Sequence, residues 1–222
     1  EQAISQCQGF LSQHPEIKVL HAHNEAMQLF ALEGAKKAGL PVRIAHAHNT
    51  RLPKDAKLPI KWFCKQFIPG AATDYWACGR EAGIYYFGQS AWDARGVTLR
   101  NAIDLDRFGY RPQVRAKLRA EYGLNDKLVV GCVARLMAQK NHTRLLDIFA
   151  ALKKVRPDSC RISLEQPDEA WAAVLKDADR NLPDRAQAAA QVRAAGYDIR
   201  QETLRLQQLY TGLIAKRGAA HA

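Results

Sequence analysis

The chain has 222 residues, 47% of them apolar and 25% charged, with a formal net charge of +11. That apolar share excludes a disordered chain, and the length suits one large or two small domains. No apolar run approaches the roughly 20 residues needed to span a bilayer, and no charged-then-apolar leader opens the sequence. Residue 1 is a glutamate and not an initiator methionine, so the sequence reads as starting inside a longer protein. Five cysteines (Cys7, Cys64, Cys78, Cys132, Cys160) with no C-x-x-C argue against a disulfide scaffold or a zinc ribbon and fit a reducing, cytoplasmic compartment. The basic excess is uneven: residues 1–165 hold 25 Lys+Arg against 15 Asp+Glu, the remainder 8 against 7. Such an excess suits anionic partners such as nucleotide phosphates, anionic lipid or RNA.

The tetrapeptide HAHN occurs twice, ending IKVLHAHN at Asn24 and VRIAHAHN at Asn49. Each preceding apolar run has the length and β-branched content of a buried strand. The intervening NEAMQLFALEGAKKAGLP reads as a helix closed by Gly39 and Pro41. A right-handed crossover makes this a βαβ unit with parallel strands, so both HAHN segments emerge at the carboxyl edge, where open α/β sheets bind ligands. On a strand His21 shares a face with His23, and His46 with His48. Three readings follow: an active-site wall using histidine for polar contacts, polar strand ends facing solvent, or a metal site of two H-x-H pairs. Asn24 and Asn49 are poor substitutes for the carboxylates or cysteines a metal site would want, so no metal is expected.

Next, RLPKDAKLPIKWFCKQFIPG predicts a helix starting near Pro59. Lys61 and Lys65 fall on one face and Ile60, Phe63 and Phe67 on the opposite one, with Trp62 between. The apolar side either packs on the sheet or makes this an interfacial helix for an anionic membrane. ATDYWACG predicts a short strand, REAGIYYFG a helix closed by Gly88, GVTLR a strand up to Leu99, and NAIDLDRF a turn-rich tail. RPQVRAKLRAEYGL predicts a helix with Pro112 in its first turn and Gly123 just past its end. Strands alternate with helices throughout, so the fold class is α/β with a doubly wound parallel sheet.

A second βα unit begins with a strand over Leu128–Ala134, a loop carrying Arg135 and Lys140, and a helix opening near Asn141, a good N-cap. Unpaired N–H groups and the positive dipole end beside two cations make this loop a candidate anion site. Beyond Pro157 the alternation fails. CRISLE is the last strand-like piece, and PDEAWAAVLKDADR, DRAQAAAQVRAAG and IRQETLRLQQLYTGLIAKR read as helices.

The stretches VLHAHN, AGLPVRIAHAHNT, ATDYWACGREAGIYYFG, LRNAIDLDRF, VARLMAQKNHTRLLDIFAAL, EAWAAVL and GYDI together resemble glycosyltransferase family 4, in particular its bacterial capsular and exopolysaccharide branch. The resemblance implies two Rossmann-like domains, the first holding the acceptor and the second the nucleotide-sugar donor, with a last helix crossing back to the first. Residues 1–108 correspond to part of the acceptor domain, 109–159 to the start of the donor domain and 160–222 to a C-terminal helical segment. The resemblance implies that His48 is the catalytic histidine contacting the transferred sugar and that Arg135 and Lys140 hold the donor diphosphate. It also implies that His21, His23, Asn49 and Asn101 line the cleft. The implied reaction is retaining transfer from a nucleotide-sugar co-substrate to a glycan or lipid-linked acceptor, with neither metal nor other cofactor. The implied location is cytoplasmic, peripheral at the inner membrane face, with no nucleic-acid partner.

Two departures qualify that expectation. Glycine is usual in the family where Ala102 stands. The donor domain's pair of glutamates, seven residues apart, is absent: after Lys140 the glutamates are Glu165, Glu169 and Glu202. The expected reading is therefore a glycosyltransferase that lacks much of its donor domain between Ser159 and Ile162 and is inactive as it stands. The rivals are a non-catalytic basic module for membrane or nucleotide phosphates, and a metallohydrolase built on the H-x-H pairs.

Overall fold

A computed structural model describes residues 1–52, 55–125, 132–136, 140–152 and 184–218. Its described residues fall into two compact units, one of residues 1–108 with 192–222 and one of residues 109–191.

The first unit is built on four parallel strands in the order β1 (Val19–Ala22), β2 (Val42–Ala47), β3 (Asp74–Ala77) and β4 (Gly96–Thr98). Helix α1 (Gln2–Gln13) precedes the sheet, a helix that no motif of the sequence announces. It packs on α2 (Gln28–Lys37) across Gly34, where a Cβ would lie 2.7 Å from both the Cys7 side chain and the Ile4 carbonyl. The crossover begins as a 3-10 turn (Glu25–Met27) before α2, because Glu25 takes a left-handed φ of 45°. Gly39 closes the crossover with φ 73°, as the turn chemistry requires.

Helix α3 (Leu58–Ala71) joins β2 to β3, and α4 (Arg80–Phe87) follows β3. Gly88, at φ 84°, ends α4 and turns directly into α5 (Gln89–Arg95), which the sequence did not announce. Ala45, Ala47, Tyr75 and Ala77 of the sheet pack with Leu32, Cys64, Ile68, Ala82, Tyr86 and Phe87 of the helices. The alternation of strand residues sends Val42, Ile44 and Trp76 to the opposite face. There the long helix Ile199–Gly218 covers them with Leu206, Leu209, Tyr210 and Leu213. Both sheet faces are thus lined by helix, the α/β architecture expected.

The long helix is fastened at both ends. Ile103 exchanges backbone hydrogen bonds with Tyr197 (2.9 Å) and Ile199 (3.0 Å). At the far end Arg217 donates to Asp74 (2.9 Å) and to the Thr73 carbonyl (3.2 Å). In the tail before it, Asp104 caps the short α6 (Leu105–Phe108) by accepting from the Asp106 and Arg107 N–H groups, both at 3.0 Å. Ala102 lies outside the positive-φ region, so the position does not need glycine.

The second unit contains α7 (Pro112–Glu121), with Pro112 at its start and Gly123 beyond its end at φ 60°, and α8 (His142–Leu152). Of the strand expected over Leu128–Ala134, residues 128–131 lie outside the described residues and Cys132–Ala134 are irregular. CRISLE, the Ser159–Ile162 junction and the helix over PDEAWAAVLKDADR also lie outside them. The helix Arg185–Ala194 follows, as expected.

Candidate functional site

The register of β1 and β2 pairs His21 with Ile44 and Ala22 with Ala45, which carries His23 to the level of His46. The side chains of His21, His23, His46 and His48 therefore meet on one face at the carboxyl end of two adjacent strands. This is the face covered by the long helix, so the two HAHN copies form one group and not two.

Within it His21 Nε2 and His46 Nδ1 are 2.9 Å apart, and His23 Nδ1 and His48 Nε2 are 2.8 Å apart. One nitrogen of each pair donates and the other accepts. The His21 and His46 rings stack at 5.0 Å, His46 and His48 at 4.2 Å, and His23 and His48 at 5.2 Å. His21 Nδ1 lies 2.6 Å from the Tyr210 hydroxyl, whose ring stacks on Trp76. The strand side of the group is buried and the loop side open: His46 is 2% exposed, while His23 is exposed.

Burial is the main cause of the group's electrostatics. It pushes His46 down to about 2 and His21 down to about 3, with the neighbouring imidazoles adding to both. Burial also lowers His23 and His48. The four rings are accordingly neutral at physiological pH, and each offers a donor and an acceptor. A neutral imidazole wall can hold sugar hydroxyls by hydrogen bonds or ligate a metal.

The crossover braces this wall. Gln28, 1% exposed, accepts from the His46 N–H at 3.1 Å, and Asn49 donates to Glu25 at 2.5 Å. Sequence reasoning missed Gln28, Glu25 and Tyr210. Asn24 and Glu25 at the strand-to-helix turn gave a local hint of the first two; nothing local marks Tyr210, which lies 189 residues from its partner. Of the expected residues, His21, His23 and His48 come together, with Asn49 against Glu25. Asn101 is exposed in the turn after β4.

Arg135 and Lys140 belong to the second unit, and both are exposed. The Arg135 carbonyl accepts from His142 at 2.9 Å, and Asn141, with φ 47°, accepts weakly from the Arg144 N–H at 3.4 Å. The cap expected at Asn141 is therefore present at the start of α8.

No family profile matches the chain, and no solved structure does. Two curated proteins do. The chain is 36% identical over 151 residues to “Putative glycosyltransferase EpsF” of Bacillus subtilis (strain 168), which covers 65% of this chain and 39% of that protein. It is 39% identical over 61 residues to the GDP-mannose-dependent alpha-(1-6)-phosphatidylinositol monomannoside mannosyltransferase of Mycolicibacterium smegmatis (strain ATCC 700084 / mc(2)155), covering 28% of this chain and 16% of that protein. The chain thus matches less than half the length of either relative.

Proposed function

We propose, from the premise that this chain is a protein of the glycosyltransferase family 4 type, that its first unit is the acceptor-side half of a retaining sugar transferase. His48 lines the transfer site. The observation that carries this reading is the neutral imidazole wall at the carboxyl ends of β1 and β2, in a chain whose relatives bear glycosyltransferase names. Neutral rings contact sugar hydroxyls without placing a fixed charge beside the anomeric carbon. His21 and His23 hold the wall's geometry, and Asn49, fixed by Glu25, ends it.

In the second unit, Arg135 and Lys140 take the donor diphosphate. The leaving group is a nucleoside diphosphate, and cations beside a helix N-terminus stabilise the charge growing on its departing oxygen. The donor is a nucleotide sugar. One relative's name specifies GDP-mannose, so guanosine and uridine diphosphates are the first probes. The acceptor is a glycan or lipid-linked glycan, reached from the inner membrane face. The exposed aromatic side of α3 supports such a location: Trp62 and Phe63 are each 59% exposed. Among the described residues no helix is long and apolar enough to cross a membrane.

As it stands the chain does not turn over. The donor-site glutamate pair is absent from the sequence, and Glu202, in the first turn of the long helix, is paired with Arg205 of the same helix at 3.1 Å. Titration with UDP and GDP, followed by NMR, tests the reading. Shifts that disappear in Arg135→Ala plus Lys140→Ala support it, and shifts that persist in that variant overturn the diphosphate assignment.

A further inference from the structure

We propose that Tyr210 is a positioning residue for the histidine wall: its hydroxyl fixes the tautomers of His21 and His46, and so makes the buried Nε2 of His46 an N–H donor for an acceptor oxygen of the bound sugar. The three side chains form one hydrogen-bonded line. The Tyr210 hydroxyl lies 2.6 Å from His21 Nδ1, and His21 Nε2 lies 2.9 Å from His46 Nδ1. His46 Nε2, at the end of the line, is buried and has no partner among the described residues.

Burial keeps both rings neutral, so each carries a single N–H. The two hydrogen bonds must then point the same way. If Tyr210 donates, His21 carries its proton on Nε2 and donates to His46 Nδ1, which leaves the His46 proton on Nε2. If His21 donates to Tyr210 instead, both rings carry their protons on Nδ1 and His46 Nε2 is bare.

Distance selects the first direction. N–H donors approach oxygen to about 2.7–3.2 Å, whereas hydroxyl donors reach about 2.5–3.0 Å. The 2.6 Å contact lies in the hydroxyl range alone. A phenol is also a better donor than acceptor, because its oxygen lone pair is shared with the ring. Burial pushes the Tyr210 phenol up, so its proton stays in place at neutral pH. The tyrosine is held in turn by its stack on Trp76, with ring centres 5.6 Å apart.

The residue that braces His46 has the same polarity. Gln28 takes the His46 backbone N–H with Oε1, and its own buried Nε2, always a donor, has no partner among the described residues. The inner end of the wall therefore offers donors and suits an oxygen acceptor, not an ammonium group. That the oxygen belongs to a sugar rests on the function proposed above; the tautomers do not.

Long-range 1H–15N NMR of the full chain at neutral pH separates protonated from bare ring nitrogens. The expected result is a proton on Nε2 of both His21 and His46. In Tyr210→Phe the tautomer ratio of both rings should shift about five-fold toward Nδ1–H, the size of one hydrogen bond. Leu213→Ala, which thins the packing of the same helix on the sheet but leaves the hydroxyl, should keep the wild-type ratio. A proton on Nδ1 of His21 in the wild-type chain overturns the proposal, whether or not the variants fold. So does a wild-type ratio in Tyr210→Phe shown to be folded by circular dichroism, or an equal shift in Leu213→Ala. Nucleotide binding through Arg135 and Lys140 is measured separately, so failure of one claim leaves the other standing.

Discussion

At His46 and His21 the consequence of burial is a pH dependence of stability. Their folded values, about 2 and about 3, lie below the ordinary 6.5 of an unfolded histidine. Above that value both states are neutral and the residues contribute no slope. As pH falls below it, the unfolded chain takes up protons that the folded chain refuses, so stability declines until the folded values are reached. Each residue should remove about 2 kcal/mol between pH 6.5 and pH 5. Urea unfolding at pH 7 and pH 5 measures this, and His46→Gln should flatten the slope by about one proton; an unchanged slope contradicts the assignment. Tyr210→Phe keeps the stack on Trp76 but removes the hydroxyl beside His21. It should cost about 1 kcal/mol, the net value of one such hydrogen bond, by chemical denaturation.

Among the elements, α3 departs furthest from its sequence reading. Its inward face is Cys64, Ile68 and Ala71, so of the two alternatives for the aromatic side the one that packs it on the sheet is excluded: Ile60, Trp62, Phe63 and Phe67 are each at least half exposed. The lysines are partly engaged instead. Lys61 pairs with Asp55 at 2.7 Å, and Lys65 lies 4.1 Å over the Tyr85 ring. Vesicle binding should therefore depend more on Trp62 and Phe63 than on charge. Trp62→Ser plus Phe63→Ser should reduce co-sedimentation with anionic vesicles more than Lys61→Ala, and the reverse order would show charge to dominate. The same double variant should change stability by no more than about 0.5 kcal/mol per site, whereas Ile68→Ala, fully buried, should cost about 2–5 kcal/mol. Between α4 and α5 the tight position is Gly83, where a Cβ would fall 2.2 Å from the Trp92 ring. Gly83→Ala must displace that ring and should cost about 1–3 kcal/mol by thermal or urea unfolding.

For the first unit as a whole, the long helix is a structural wall of the sheet. It covers Val42, Ile44 and Trp76 and supplies Tyr210 to the histidines. Leu209→Glu would set a carboxylate against that apolar face and expose the group's second wall. It should both destabilise the unit and loosen His21, seen as a shift of the histidine ring signals at neutral pH. Activity is the remaining molecular question. Under the proposed function, the absence of the glutamate pair leaves a donor sugar little to orient it, and positioning supplies up to roughly 7–11 kcal/mol in well-oriented cases. A panel of radiolabelled nucleotide sugars with membrane-derived lipid acceptors should show no turnover; turnover abolished by His48→Ala would show that the chain builds a working donor site.

The parallel sheet, the closing glycines Gly39, Gly88 and Gly123, and the pairing of histidines on one face were legible in the sequence. Each follows from local rules: hydrophobic period, turn chemistry and strand alternation act over a few residues. α1 escaped because its contact with the fold runs through Gly34, a residue whose value lies in the missing side chain. α5 escaped because it follows α4 after a single glycine, with no loop to mark it. Local rules placed two histidines at each strand end, and both ends at one sheet edge, but could not say which rings meet, since that depends on the register of β1 against β2. Nor could they find Tyr210, Gln28 or the open face of α3. Which side of a helix is covered, and which distant hydroxyl reaches a buried ring, is decided by packing between segments far apart in the chain, and no periodicity within either segment carries that information.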